Sequence, residues 1–152
     1  MVENSYSKIL VPYDGSKFSQ KALQTAKILA KAYGSTIYLS TIIEVSYVPS
    51  PGLIRSRDTR KTFDQIRESI RHSVETVLEQ RKEECKYEGI MVLTHISEGS
   101  ASDELLKFII KNNIDLIVIG SQGLSGFSKL RALGSVSRKI SELADCPVMI
   151  VR

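Results

Sequence analysis

Short apolar runs alternate along this chain with longer stretches in which apolar residues recur at helical spacing. KILVPYD, residues 8–14, is an apolar run closed by Pro12 and Asp14, and it predicts a buried strand. GSKFSQKALQTAKILAKAYG follows, with Ala22, Leu23, Ala26, Leu29, Ala30 and Tyr33 at helical spacing and Gly34 placed to end the helix. STIYLSTIIEV, residues 35–45, is dense in β-branched and aromatic residues and reads as a second strand. Pro49, Pro51 and Gly52 break the pattern over Ser46–Arg60, which reads as a loop. A long helix is expected over Lys61–Glu88, where Phe63, Ile66, Ile70, Val74, Val77 and Cys85 keep to one stripe and Gly89 stops it. IMVLTHI, residues 90–96, reads as the third strand. GSASDELLKFIIKNN, residues 99–113, reads as a helix with Ser100 or Ser102 as its N-cap and acids in its first turn. IDLIVIG, residues 114–120, is the fourth and most apolar strand. After a stretch rich in glycine and serine, a short helix is expected over Ser135–Ala144 and a fifth strand over CPVMIVR, residues 146–152.

Strands and helices in strict alternation predict an α/β fold: an open, mostly parallel five-stranded sheet with helices on both faces. The apolar run Leu116–Ile119 suits a strand covered on both sides. The 152 residues are expected to form one domain, 1–152, because domains commonly hold about 100–200 residues. With strand order 3-2-1-4-5, the first and fourth strands are neighbours where the order reverses, and ligands of open α/β sheets bind beyond the strand ends at that point. Asp14 then faces the glycine-rich segment across one crevice.

Composition narrows the partners. The net charge is +4, but both signs are interspersed along the helices and no basic run carries interleaved aromatics, so nucleic acid is not expected. A modest positive balance suits a small anionic ligand. No apolar run approaches the roughly 20 residues of a membrane span. MVENSYSK has no apolar signal core, and Cys85 and Cys146 form no CxxC pair; a cytoplasmic protein with buried thiols is expected.

The candidate chemistry sits in IVIGSQGLSGFSKLRALGSVSRKI, residues 117–140, with glycines at 120, 123, 126 and 134. Glycines let backbone N–H groups approach anionic oxygens closely, and the start of the last helix, GSVS, adds the positive end of a helix. Ser135 and Ser137 offer hydroxyl donors, and Lys129 and Arg131 lie between. The alternative is a plain strand-to-helix turn with Ser135 as a cap. No GxxxxGK[ST] is present, and glycines at 120, 123 and 126 do not make GxGxxG. Asp14 is either a helix N-cap or an acceptor for a base amino group or ribose hydroxyl.

ILVPYDGSKFSQKALQTAKILA followed by GSQGLSGFSKLRALGSVSRKISELADCPVMIVR resembles the universal stress protein family over nearly the whole chain. The resemblance implies a Rossmann-like fold of the adenine nucleotide alpha hydrolase type and ATP bound through G-x2-G-x9-G-[ST]. It implies that Asp14 contacts the adenine or ribose, that Pro12 and Tyr13 shape the wall beside it, and that Ile42 meets the adenine through its backbone. Gly120, Ser121 and Gly123 then run beneath the ribose and phosphates, and Gly134, Ser135, Val136 and Ser137 supply N–H and hydroxyl groups to the phosphates. It also implies a homodimer paired through the last strands, around Val148–Val151. One departure stands out: ten residues, Leu124–Leu133, separate Gly123 from Gly134, where the motif has nine.

No enzyme is expected beyond slow ATP turnover. His72 reads as a surface residue of the long helix, and His95, placed at the end of the third strand, as a cap or hydrogen-bonded strand residue. Glu98, Asp103 and Glu104 read as helix-start charges, and no His, Cys or Asp cluster has metal-ligand spacing. Mg²⁺ or Mn²⁺ would accompany the phosphates without dedicated carboxylates. The readings are a nucleotide-binding sensor or regulator in stress response, a nucleotide-independent dimeric interaction module and, last, an ATP-dependent hydrolase or transferase. The sequence names no downstream protein partner.

Overall fold

The computed structural model describes residues 6–44, 57–124 and 133–152. The elements run β1 (Lys8–Pro12), α1 (Lys17–Tyr33), β2 (Thr36–Ile43), α2 (Arg57–Tyr87), β3 (Val92–Glu98), α3 (Ala101–Asn112), β4 (Leu116–Gly120), α4 (Ser135–Leu143) and β5 (Val148–Val151). The strands join one sheet in the order β3-β2-β1-β4-β5, and every pairing is parallel. The α/β class, the Rossmann-like layering and the reversal of order between β1 and β4 are those expected.

Why β1 and β4 are continuous apolar runs follows from the layers. Successive strand residues point to opposite faces. Ile9 and Val11 of β1, with Leu116 and Val118 of β4, pack under α1 and α2; Leu10, Ile117 and Ile119 pack under α3 and α4. With both faces covered, Ile9, Leu10 and Val11 are all fully buried, each stabilising the fold by about 1.5–3 kcal/mol relative to exposure. Helix α1 lies close to the sheet because its inward face carries Ala22, Ala26 and Ala30. Gly34 ends it in the left-handed conformation at φ 67°, where a side chain would be strained, and donates its N–H to Ala30. Lys27 and Lys31 of α1 both pair with Glu88 just beyond α2.

Several strand and helix ends fall one or two residues inside the expected ranges, and two boundaries extend beyond them. Helix α2 begins at Arg57, so residues 57–60 are helical and not loop. Nothing after Gly52 breaks a helix, and Asp58 stabilises the first turn. The remaining expected loop, 46–56, lies outside the described residues. Strand β3 runs past Ile96 to Glu98, because its pairing with β2 continues as far as Ile43 opposite Glu98. His95 is therefore interior to the strand. Glu98 closes the strand and does not open a helix; it lies 3.5 Å from Arg67 and 3.9 Å from Arg71 of α2. Asp103 and Glu104 do occupy the first turn of α3, and Ser100 is its N-cap residue, without a side-chain cap bond. Cys85 and Cys146 are free thiols on opposite faces of the sheet. Among the described residues no helix is long and apolar enough to cross a membrane.

Candidate functional site

The crevice at the reversal of strand order is built first from the turn after β1. Ser16 is the N-cap of α1, its Oγ accepting from Ser19 N–H at 3.1 Å. Asp14 is thereby excluded as the cap, and its exposed carboxylate has other partners. Oδ1 accepts from Ser16 N–H at 2.9 Å, and Oδ2 accepts from Leu124 N–H at 3.2 Å, on the far side of the crevice. Gly15, at φ +80°, makes the turn that aims Asp14 this way.

Two glycines of the segment after β4 do different things. A Cβ on Gly120 would fall 2.7 Å from the backbone carbon of Phe18, so this glycine exists to let α1 approach β4. Among the described residues, a Cβ on Gly123 would meet Asp14 Oδ2 alone, at 3.0 Å. The far end of the motif closes onto the first glycine pair: Gly134 N–H donates to Ser121 C=O at 2.8 Å, and a Cβ on Gly134 would lie 3.4 Å from Gln122 Cα. The ten-residue spacing thus leaves the two ends joined. Lys129 and Arg131 lie outside the described residues.

Gly134 is the N-cap of α4 and has no side chain to offer, so no side-chain cap bond closes that end of the helix. The first intrahelical bond runs from Arg138 N–H to Gly134 C=O, leaving the N–H groups of Ser135, Val136 and Ser137 as the first-turn donors. The Ser135 side chain is exposed, Val136 packs into the core beneath α4, and Ser137 is buried with its hydroxyl donating to Gly120 C=O at 2.6 Å. The hydroxyl of Ser137 is therefore committed to the fold. Ser121 is also buried, and its N–H pairs with Val151 C=O at 2.8 Å.

The wall beside Asp14 is braced from β2. Tyr13 N–H donates to Ser40 C=O at 2.7 Å, and Thr41 Oγ1 donates to Tyr13 C=O at 2.6 Å. The Tyr13 ring turns into the core beneath α1 and α2, and burial pushes its phenol above the usual value, so only its backbone faces the crevice. Pro12 is half-buried, and Ile42 sends its side chain into the opposite core. His95 holds Ser40 from behind, with Nδ1 and Oγ 2.9 Å apart and the ring 4.2 Å from that of Phe108. Burial pushes its pKa below the ordinary histidine value, Glu104 opposing and Lys111 adding to the shift. His72 is exposed on α2. Among the described residues no group of three or more His, Cys, Asp or Glu is arranged to hold a metal ion.

Sequence reasoning missed three participants: Ser16, Phe18 and the Leu124 N–H. Ser16 was detectable, since a serine directly before a helical pattern is a preferred N-cap. The other two act through backbone geometry and leave no residue-type signal.

The fold agrees with that of known proteins. The chain is 34% identical over 148 residues to the universal stress protein YxiE of Bacillus subtilis, covering 97% of this chain and 99% of that one. The solved structure of the universal stress protein UspA from Lactobacillus plantarum superposes with a TM-score of 0.84 at 22% identity, over 97% of this chain and 98% of the other. A universal stress protein from Archaeoglobus fulgidus, solved in complex with dAMP, superposes at 0.66 with 24% identity, over 97% and 98% of the two chains. The family model for universal stress proteins matches residues 5–152. With the expected strand order, both glycine ends and a match over nearly its whole length, the chain belongs to the universal stress protein family.

Proposed function

We propose that this protein binds ATP in the crevice between the carboxyl ends of β1 and β4 and acts as a cytoplasmic, nucleotide-dependent sensor or regulator in stress response. The observation that carries this reading is the closure of the glycine ends by the Gly134–Ser121 hydrogen bond. It brings the α4 N-terminus, which lacks a side-chain cap, to the same crevice as Asp14 and Gly123. The first-turn N–H groups of Ser135, Val136 and Ser137 and the hydroxyl of Ser135 donate to phosphate oxygens, favoured by the positive end of the helix. Gly123 leaves room for the chain of phosphates, while Gly120 and Ser121 hold its floor. Pro12, Asp14 and the backbones of Tyr13 and Ile42 receive the adenosine. The nucleotide in the Archaeoglobus fulgidus relative supports an adenine-bearing ligand.

A divalent ion would be carried by phosphate oxygens and water, as Mg²⁺ commonly is, with no protein cage. Anion binding is the chemistry that the described residues of the crevice supply, and the reading extends to no more than slow hydrolysis. The protein forms a homodimer through β5, a short apolar edge whose Met149 is exposed and whose pairing would cover an open row of backbone groups.

A nucleotide-independent dimeric module is the second reading, favoured by the packing role of Gly120. Mass spectrometry of ligand released from the purified protein, with ATP titration by calorimetry, separates the two. An adenine nucleotide in the released fraction and saturable heat are expected. Neither signal would leave the module reading.

A further inference from the structure

We infer that Asp14 is a positioning residue for the phosphate end of the ligand, acting through the backbone of the glycine segment, in addition to any contact with adenosine. The inference rests on the nucleotide reading above. Its basis is the division of the carboxylate: Oδ1 is held by Ser16 N–H at 2.9 Å, which fixes its orientation, and Oδ2 reaches across the crevice to Leu124 N–H at 3.2 Å. Leu124 directly follows Gly123, whose missing side chain leaves the space beside the same oxygen. The far end of the segment is fixed by Gly134 N–H on Ser121 C=O. Asp14 is thus the tie on the near side of the Gly123–Leu124 peptide, and hydrogen bonds to an ionised acceptor are roughly twice as strong as neutral ones. An asparagine has one acceptor oxygen for these two donors, and its amide NH₂ would confront the other N–H.

This role makes a prediction opposite in sign to simple electrostatics. A carboxylate beside a polyphosphate repels it, so removing the charge should by Coulomb's law favour ATP over adenosine. Loss of the tie should do the reverse, because the phosphates lie along the Gly123–Leu124 peptide while the adenosine is received chiefly by Pro12, Asp14 and the backbones of Tyr13 and Ile42.

The test is calorimetric titration of ATP and of adenosine into the full chain and into Asp14→Asn, with thermal unfolding as a control for the exposed substitution. In the unsubstituted protein ATP should bind more tightly than adenosine. In Asp14→Asn that preference should shrink by about 3–10-fold, the scale of the net contribution of one hydrogen bond. An unchanged or enlarged preference overturns the inference while leaving the nucleotide reading intact. If the unsubstituted protein binds neither ligand, the nucleotide reading itself fails and this role fails with it. A ligand-free measurement then tests the tie alone: amide exchange at Leu124 should be faster in Asp14→Asn, and equal exchange rates would show that no tie exists.

Discussion

Gly120 and Gly123 sit in one short motif and have opposite reasons to be glycine. Gly120 is a contact of the fold: the backbone of Phe18 occupies the place its side chain would take, and its carbonyl anchors Ser137 of α4. Gly123 is a contact of the crevice, where the neighbour of an added Cβ is the Asp14 carboxylate. The first glycine couples α1, β4 and α4 into one unit; the second leaves open a path across the surface of that unit. A glycine motif is therefore not one kind of evidence, and each position has to be read by what approaches it.

The largest effect should come from filling the first position. Gly120→Ala should cost about 1–3 kcal/mol of stability, typical of overpacking, and Gly120→Val more, because the obstacle is backbone and cannot rotate away. Urea unfolding measures this; a variant as stable as the parent would erase the distinction between the two glycines. Ser137→Ala should come next, at about 1–2 kcal/mol, since it strips a donor from the Gly120 carbonyl in a buried setting. Because its backbone N–H is retained, ATP affinity should change far less than stability.

The smallest effect lies away from both glycines, at His95. Burial holds its pKa below the unfolded value, so the unfolded chain takes up a proton at higher pH than the folded one. The contribution of neutral His95 is present above about pH 6.5, the unperturbed histidine value, and is lost as pH falls through the lower folded pKa. His95→Gln should flatten that part of the stability–pH curve measured by thermal unfolding. An identical curve in the variant would assign the acid sensitivity elsewhere.

The architecture was legible because period-two burial on two covered faces writes itself as apolar runs such as Ile9–Val11 and Leu116–Ile119. The reversal of order, and so the crevice, followed from it. The boundaries at Arg57 and Glu98 were less legible, since the end of β3 is set by pairing with Ile43 on β2 and not by its own composition. Within the site, residue types flagged Asp14 and the glycines, but not their division of labour. The contacts that decide it, Phe18 against Gly120 and Leu124 N–H on Asp14, join segments far apart in the chain and run through backbone atoms common to every residue. Ser137 shows the same limit: a serine in a helix's first turn looks like a phosphate donor until the buried carbonyl it serves comes into view.

The central claim is that the two glycine ends form a nucleotide cradle, and Gly123→Val tests it most directly. ATP should be titrated calorimetrically into the parent protein and this variant, with thermal unfolding and oligomeric state measured on both. Saturable binding by the parent, no detectable binding by the variant and closely matched unfolding curves are predicted, because a side chain at this position obstructs the crevice without entering the core. Equal ATP affinity in the two proteins would contradict the cradle.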